Sequence, residues 1–221
     1  IIESRTKSGA LLVKALGETE NNVKAVISSS AIGWYGPDTK TSLQKGFNED
    51  WVSSNDFLGK TCKLWEAAIK PVETLGKRLV ILRTGIVLSN DGGALAEFKK
   101  PLKFGTAAIL GGGDQVTSWI HIDDICRMYL YALENEISGI FNAVAPHPVT
   151  NKELTLALAK TLRGRSFIPL HVPAFVLKIM LGEMSVEVLK SANVSVAKFR
   201  QTGFQFTYPT IEAALMQLAK E

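Results

Sequence analysis

Short apolar runs alternate with amphipathic stretches along most of this chain, a pattern typical of parallel strands connected by helices. Three apolar, β-branched runs bounded by turn residues predict buried strands at residues 24–29, 78–84 and 139–145. Shorter runs predict strands at residues 118–122 and 204–208, and residues 166–173 are predicted to be extended. This order favours an α/β fold in which the three long strands lie in one parallel sheet.

Apolar positions spaced as on one face of a helix predict helices between these strands. The predicted helices cover residues 1–17, 55–75, 94–104, 123–135, 151–164, 174–181, 196–202 and the segment after Thr210. Pro71 is expected to kink the second helix, and the polar residues 37–50 are expected to form a loop. The predicted N-caps are Asp123, Thr150, Ser195 and Thr210, and Thr150 with Glu153 has the pattern of a capping box.

The opening helix carries an apolar stripe formed by Leu11, Leu12, Ala15 and Leu16 and ends at Gly17. Near the other end of the α/β pattern, the composition changes at APHPVT, around residue 146. We therefore predict an α/β part in residues 1–146 and a smaller α+β lobe in residues 147–221.

The composition excludes several classes of protein. The chain has 221 residues, of which 46% are hydrophobic, so it can bury a core in one or two domains. A net charge of +4 permits an anionic ligand and does not require nucleic acid. Two cysteines are too few for a disulfide framework or a structural zinc site, and a cytoplasmic location is expected. No apolar run reaches the ~20 residues of a membrane span.

Three consecutive serines, Ser28, Ser29 and Ser30, are predicted to follow the first buried strand. In open α/β sheets, ligands bind beyond the carboxyl ends of the strands, so these hydroxyls are candidates for chemistry. The alternative is that they satisfy backbone groups at the strand end.

Five segments occur in a fixed order along the chain: SSSAIGWYG (28–36), WEAA (65–68), residues 82–95, SWIHIDD (118–124) and residues 141–153. Together they resemble the NAD(P)-dependent epimerase/dehydratase group of the short-chain dehydrogenase/reductase superfamily. The nearer resemblance is to its nucleoside-diphosphate-sugar epimerase, or cell-division-inhibitor-like, subfamily, which has its own C-terminal domain. The resemblance covers essentially the whole chain. It implies a Rossmann-like, doubly wound parallel sheet, a substrate-side C-terminal lobe and NADP or NAD as the cofactor.

The chain departs from the family at the pyrophosphate site. The family begins with a strand, a Gly-rich turn and a helix whose N-terminus holds the dinucleotide pyrophosphate. No G-x-x-G-x-x-G occurs in this sequence. From the size of a Rossmann half, we expect roughly 80 further residues before this chain, which would then be a truncated form. We also expect the 221-residue chain alone to bind the nucleotide weakly.

A second departure concerns the catalytic Tyr-x-x-x-Lys of the superfamily, whose register places Leu58 and Cys62 at the two positions. The remaining catalytic candidates are Ser30, which matches the family residue that hydrogen-bonds the reacting oxygen, and Tyr35, the nearest phenol. Tyr35 packing under the turn is the alternative. Glu66 either pairs within the site or is a solvated helix carboxylate.

The resemblance places Arg5 beside the cofactor, where a guanidinium suits phosphate oxygens, although an exposed helix arginine is the alternative. The other cofactor-binding candidates lie at two strand ends and are Ser28, Ser29, Thr84, Gly85 and Val87. Gln115 and Trp119 are candidates for lining the substrate cleft.

His121 beside Asp123 and Asp124 could be interpreted as a metal site. We instead interpret Asp123 as an N-cap and His121 as a residue between the lobes, and predict no metal.

The sequence is compatible with two functions. One is an NAD(P)-dependent epimerase or oxidoreductase that acts on a sugar-nucleotide-like or other small alcohol or carbonyl substrate. The other is a non-catalytic NADP(H)-binding sensor or scaffold, because the usual acid/base pair is missing. The resemblance also implies a homodimer through the helices at residues 1–17 and 55–75.

Overall fold

Alternating strands and helices make up the computed structural model, which describes residues 2–182 and 184–220. The strands are β1 (Ala25–Ala31), β2 (Arg78–Thr84), β3 (Ile86–Leu88), β4 (Thr106–Leu110), β5 (Val116–Thr117), β6 (Trp119–His121), β7 (Gly139–Ala143), β8 (Val149–Thr150) and β9 (Ile168–Val172). The helices are α1 (Ile2–Glu18), α2 (Lys40–Lys45), α3 (Phe57–Ile69), α4 (Ala94–Leu102), α5 (Ile122–Glu134), α6 (Asn151–Arg163), α7 (Ala174–Leu181), α8 (Met184–Leu189), α9 (Ala197–Arg200) and α10 (Ile211–Leu218).

The central sheet consists of three parallel strands in the order β1–β2–β7, as the three long apolar runs predict. Apolar side chains project from both faces of this sheet, as expected for parallel strands that other elements cover on both sides. One face packs with residues of α5 around Leu82 and Met128, and the other packs with α3 around Ile81 and Ile69. The α/β fold class is therefore confirmed.

β1 extends further than predicted, to Ala31, so the three serines lie inside the strand rather than beyond it. Hydrogen bonds to β2 continue through this segment, with Ser30 opposite Arg83 and Ala31 opposite Thr84. Serine is a weak strand former, but the parallel neighbour supplies partners for its backbone groups.

Helix α1 rests on α3 where two small residues meet: a Cβ on Gly9 would lie 3.2 Å from the Cβ of Ala68. Val13 and Leu16 pack against the core, whereas Leu11 is 68% exposed and Leu12 is 42% exposed. The apolar stripe of α1 is thus only partly buried.

The predicted helix 55–75 is two elements. α3 ends at Ile69, and a 3₁₀ helix continues over Lys70–Leu75, with Pro71 among its first residues. Pro71 has no N–H to continue the α-helical ladder, which accounts for the change. Gly76 then ends the segment with a left-handed φ of 70°.

Four local predictions are wrong. Residues 40–45 form α2 within the predicted loop, begun by a capping box between Thr39 and Ser42. His121, not Asp123, is the N-cap of α5, because its ring nitrogen accepts the Asp123 N–H at 3.0 Å. α9 begins after Val196, not Ser195, without a side-chain cap. Residues 204–208 form no strand, because Phe204 packs into an aromatic cluster instead.

Two smaller strand pairs join residues on either side of residue 146. β4 pairs in parallel with β9, and β5 pairs antiparallel with β8. The division at residue 146 stays a prediction. Within the described residues, no helix is both long and apolar enough to span a bilayer.

Candidate functional site

A row of polar side chains crosses the central sheet one position before the carboxyl ends of its strands. Ser30 in β1 lies opposite Arg83 in β2, and Arg83 lies opposite Asn142 in β7. All three residues are at most 2% exposed. Because polar groups so deeply buried require partners, neighbouring side chains and backbone groups must satisfy the row.

The main partner is Glu66, which α3 places against β2. Arg83 donates to both carboxylate oxygens, from Nε to Oε1 at 2.9 Å and from Nη2 to Oε2 at 3.0 Å. The Ser30 hydroxyl donates to Oε1 at 2.7 Å. Two charge-assisted bonds in a planar fork make this the strongest polar contact of the row. Glu66 is therefore a buried ion-pair partner, not a solvated helix carboxylate.

Burial alone would lower the pKa of Arg83, but its hydrogen bonds with Glu66 raise that pKa above its ordinary value. The remaining nitrogen, Nη1, donates to the Tyr35 hydroxyl and to the Glu49 carbonyl, each at 3.2 Å. The guanidinium also lies 3.7 Å from the ring centroid of Trp34. Arg83 thus remains charged inside the protein.

Tyr35 lies under the turn that follows β1 and has no exposed surface. Its hydroxyl donates to Asn142 Oδ1 at 2.7 Å, and its ring stacks on Phe47 at 5.0 Å. Burial raises the pKa of this phenol to about 12. These contacts match the alternative in which Tyr35 packs under the turn, and its catalytic role stays a prediction.

The two residues at the Tyr-x-x-x-Lys positions carry no comparable acid or base. A Cβ on Gly33 would lie 3.1 Å from the Leu58 side chain, so Leu58 is packed against the turn after β1. Cys62 is 3% exposed, its Sγ lies 3.6 Å from the Ala31 carbonyl oxygen, and burial raises the pKa of its thiol. Cys62 therefore has the surroundings of a structural thiol.

The predicted cofactor residues do not form one cluster of contacts. Arg5 is exposed on α1, with its guanidinium carbon 4.6 Å from the Trp65 ring centroid. Ser28 donates to the Ser29 carbonyl, and the Ser29 hydroxyl contacts the Tyr129 hydroxyl. Ser29 is exposed at its position in β1.

Thr84 ends β2, Gly85 connects it to β3, and Val87 lies within β3. Gly85 is required there, because a Cβ would lie 2.6 Å from the Ser118 carbonyl oxygen and 2.7 Å from Val144 Cγ1. Thr84 is half-buried, and its hydroxyl donates to the Leu82 carbonyl at 3.3 Å. Val87 packs against the apolar core beneath the sheet. Their roles toward a cofactor stay predictions.

The two predicted substrate residues differ in exposure. Gln115 is half-buried and its amide donates to the Leu110 carbonyl at 2.9 Å. Trp119 has no exposed surface and donates from Nε1 to the His147 carbonyl at 3.1 Å. Trp119 could meet a substrate only if the surrounding core opened, and both assignments stay predictions.

His121 connects two helices rather than facing a cleft. Its Nε2 lies 2.9 Å from Gln217 Oε1 on α10, and its ring lies 4.0 Å from that of Tyr208. Asp124 instead accepts the backbone N–H groups of Thr207 and Tyr208. In residues 2–182 and 184–220, no group of three or more His, Cys, Asp or Glu could hold a metal ion.

The C-terminal segment is joined to the neighbourhood of β1 by polar contacts that the sequence did not indicate. Asp38 accepts the Ser191 hydroxyl at 2.6 Å and the Asn193 N–H at 3.0 Å. Lys190, nearly buried, lies 3.2 Å from Asp56 Oδ2.

Asp56 is also the N-cap of α3, since its Oδ1 accepts the Gly59 N–H at 2.7 Å. Burial by itself would raise the pKa of Asp56, but the bonds from Gly59, Ser54 and Lys190 lower it below its ordinary value.

The parallel sheet with helices on both faces defines an α/β protein of the Rossmann-like class. The chain is 38% identical over 220 residues to the epimerase family protein YfhF of Bacillus subtilis, covering 99% of this chain and 70% of that protein. Residues 172–218 match a family described as a domain of unknown function, DUF1731.

Two solved structures show the same fold at 31% identity. The human epimerase family protein SDR39U1 with NADPH has a TM-score of 0.89 and covers 100% of this chain and 73% of its own. The nucleoside-diphosphate sugar epimerase of Corynebacterium glutamicum has a TM-score of 0.77 and covers 100% of this chain and 43% of its own. The chain belongs to this epimerase family, which confirms the resemblance found in its sequence.

Replacing Glu66 tests the buried ion pair. We expect Glu66→Gln to lower the free energy of unfolding by about 3–5 kcal/mol, because Arg83 would remain charged and buried without its counter-ion. Chemical denaturation measures this change. The matched control is Glu97→Gln, which removes an exposed pair with Lys100 and should cost less than about 0.5 kcal/mol. Equal small effects of both changes would contradict the assigned role of the ion pair.

Tyr35 should make stability depend on alkaline pH. The folded protein holds the phenol neutral up to a pKa of about 12, whereas the ordinary value is 10.0, so stability present below pH 10 is lost as the pH rises towards 12. We expect Tyr35→Phe to be less stable near neutral pH by about 1–3 kcal/mol, because it leaves Asn142 and Arg83 short of a partner. The difference in the free energy of unfolding between the wild type and Tyr35→Phe should shrink by about 2–3 kcal/mol above pH 10, because only the wild type loses stability there. A gap that stays constant in alkaline denaturation curves would argue against the buried phenol.

Proposed function

We propose that this protein binds NADP(H) and acts as an epimerase or reductase on a nucleoside-diphosphate sugar or a similar alcohol or carbonyl compound. The observation that carries the proposal is the likeness to human SDR39U1, a structure described with NADPH, over the whole of this chain. The substrate class rests on the Corynebacterium glutamicum protein, which is described as a nucleoside-diphosphate sugar epimerase.

The carboxyl edge of the sheet is the proposed location of the reacting groups. The strands β1, β2 and β7 all end there, and parallel sheets bind ligands at this edge. Ser29, Thr84 and the segment after β2 border the edge without being sealed in the core. A bound nicotinamide would supply hydride transfer, while these residues would position it and the substrate.

Ser30 is proposed to act on the substrate oxygen. Its single proton is donated to Glu66, so in this arrangement its free lone pairs can only accept a hydrogen bond. A substrate hydroxyl suits such an acceptor, and a substrate carbonyl would require the Ser30 hydroxyl to rotate away from Glu66. Because Ser30 is 2% exposed, either contact requires the neighbouring turn to open.

A non-catalytic NADP(H)-binding protein is the second candidate. It is favoured by the packing of Leu58 and Cys62, which replace the superfamily's phenol and lysine with an apolar side chain and a buried thiol. The phenol of Tyr35 is also held neutral within the core. A protein that binds NADPH tightly and leaves every nucleoside-diphosphate sugar unchanged would have this second function.

Ser30 and Arg5 should affect different steps. In the full-length protein, we expect Ser30→Ala to lower turnover of a nucleoside-diphosphate sugar about 100-fold, the usual effect of losing one positioned hydrogen-bonding group. Its NADPH affinity should change by no more than a few fold. Arg5→Ala should weaken NADPH binding by about 10- to 100-fold, the effect of removing a hydrogen bond to a charged group. Calorimetry and the absorbance of reduced nicotinamide measure the two effects.

The matched control for Arg5 is Lys7→Ala, since Lys7 is an exposed cation on the same helix that pairs with Glu3. Lys7→Ala should leave NADPH affinity within about twofold, as expected for an exposed charge. If Arg5→Ala and Lys7→Ala behave alike, Arg5 is an ordinary exposed arginine. If Ser30→Ala retains full turnover, Ser30 is a structural residue of the buried row.

We also propose a homodimer formed through α1 and α3. Leu11 on α1 and Leu64 on α3 are 68% and 48% exposed, so an apolar surface spans the two helices. Light scattering of the full-length protein at micromolar concentration should give twice the mass of one chain, and Leu11→Glu should halve the measured mass. Leu130→Glu, at a comparably exposed leucine of α5, is the control. A wild-type mass of one chain would exclude the dimer.

A further inference from the structure

A cavity of about 510 Å³ lies outside the site described above, between residues 146–147, α9 and residues 204–209. These segments adjoin β7, which is the strand farthest from β1 in the central sheet. The cavity therefore lies at the opposite edge of the sheet from Ser29. Its volume falls within the ~300–1,000 Å³ of small-molecule sites.

The polar groups around the cavity favour an anion. They come from Arg200, His147, Gln201 and Gln205, and none of the lining residues has a carboxylate. The side chains of Arg200 and His147 make no hydrogen bond or ion pair with any residue in 2–182 and 184–220. An unpaired guanidinium presents a planar fork of donors that matches a phosphate or a carboxylate.

The rest of the lining is apolar and partly aromatic. Phe206 is half-buried and meets Phe204 edge to face, with ring centroids 5.0 Å apart. Pro146 and Pro209 complete the apolar lining. Rings and prolines provide the flat apolar surfaces on which a ligand ring can pack. The lining thus combines a cationic group with surfaces for an uncharged ring.

Contacts behind the cavity hold its lining in place. The Asp124 carboxylate accepts the N–H groups of Thr207 and Tyr208 at 2.9 and 2.8 Å, which fixes the segment that carries Gln205 and Phe206. The Trp119 indole donates to the His147 carbonyl. Phe199, buried within α9, packs against Phe204 and anchors the turn that carries Arg200. A ligand would therefore meet a preformed surface and would not have to order it.

We propose that this cavity binds a small organic anion in which a phosphate or carboxylate group is attached to a flat ring. Arg200 binds the anionic group with help from His147 and the two glutamine amides. The ring packs against Phe206 and the prolines. This site is separate from the proposed cofactor site, and its occupation does not require NADP(H).

Four probes separate the contributions of charge and ring. Phenyl phosphate carries both, inorganic phosphate carries only the charge, benzyl alcohol carries only the ring, and benzoate replaces phosphate with carboxylate. We expect phenyl phosphate to shift the backbone amide resonances of residues 197–206 saturably. Inorganic phosphate and benzyl alcohol should each bind at least about tenfold more weakly, since each loses one of the two interactions. The affinity of benzoate, compared with that of phenyl phosphate, shows whether the cavity prefers a carboxylate or a phosphate group.

Variants then test the residues. Arg200→Ala should weaken phenyl phosphate binding by about 10- to 100-fold. The matched control is Arg165→Ala, since Arg165 is exposed elsewhere and also lacks a described partner, and it should change affinity by less than about twofold. Ala197→Phe, at an exposed lining position, should block the ring without altering charge. The proposal is overturned if no probe shifts these resonances saturably, or if Arg200→Ala and Arg165→Ala weaken binding equally.

Discussion

The buried ion pair between Glu66 and Arg83 is the interaction on which the centre of this protein depends. A carboxylate and a guanidinium removed from water are stable only when their geometry is favourable and their remaining donors and acceptors are satisfied. Here Arg83 makes both hydrogen bonds to Glu66. The Ser30 hydroxyl also donates to Glu66, and the Tyr35 hydroxyl and a backbone carbonyl accept hydrogen bonds from Arg83 Nη1. α3, β1, β2 and the turn after β1 are thereby fixed to one another through charge as well as through apolar packing.

This arrangement changes how the candidate residues are understood. Ser30 and Tyr35 carry the groups that the chemistry of the family would need, yet both are committed to satisfying Arg83 and Glu66. A side chain cannot serve a buried network and a substrate at once without a rearrangement that exposes the network. Ser29 and Thr84 lie at the margin of the row, where the Ser29 hydroxyl contacts the Tyr129 hydroxyl and Thr84 donates to the Leu82 carbonyl. Of the motif's hydroxyls, those of Ser30 and Tyr35 point into the buried network, whereas Ser29 is exposed.

The sequence allowed the long strands to be predicted, because their apolar runs are bounded by turn residues and repeat between helices. The resemblance to the family was equally accessible, since its motifs retain their order. The buried row could not be predicted, because placing Ser30 beside Arg83, and Arg83 beside Asn142, requires the register between strands that lie far apart in the chain. One signal was available: Arg83 is a charged residue at the end of the otherwise apolar run LVIL, and a buried charge demands a partner.

The same row connects the two edges of the sheet. At one edge, Ser30 meets Glu66; at the other, the Asn142 amide donates to the Ser195 carbonyl at 2.9 Å, two residues before α9 begins. α9 in turn carries Arg200 towards the cavity beyond β7. Hydrogen bonds therefore position that helix start from the same set of side chains that holds the ion pair. The directional bond from Asn142 to the Ser195 carbonyl and the packing of Phe199 against Phe204 together fix where this part of the cavity lining lies.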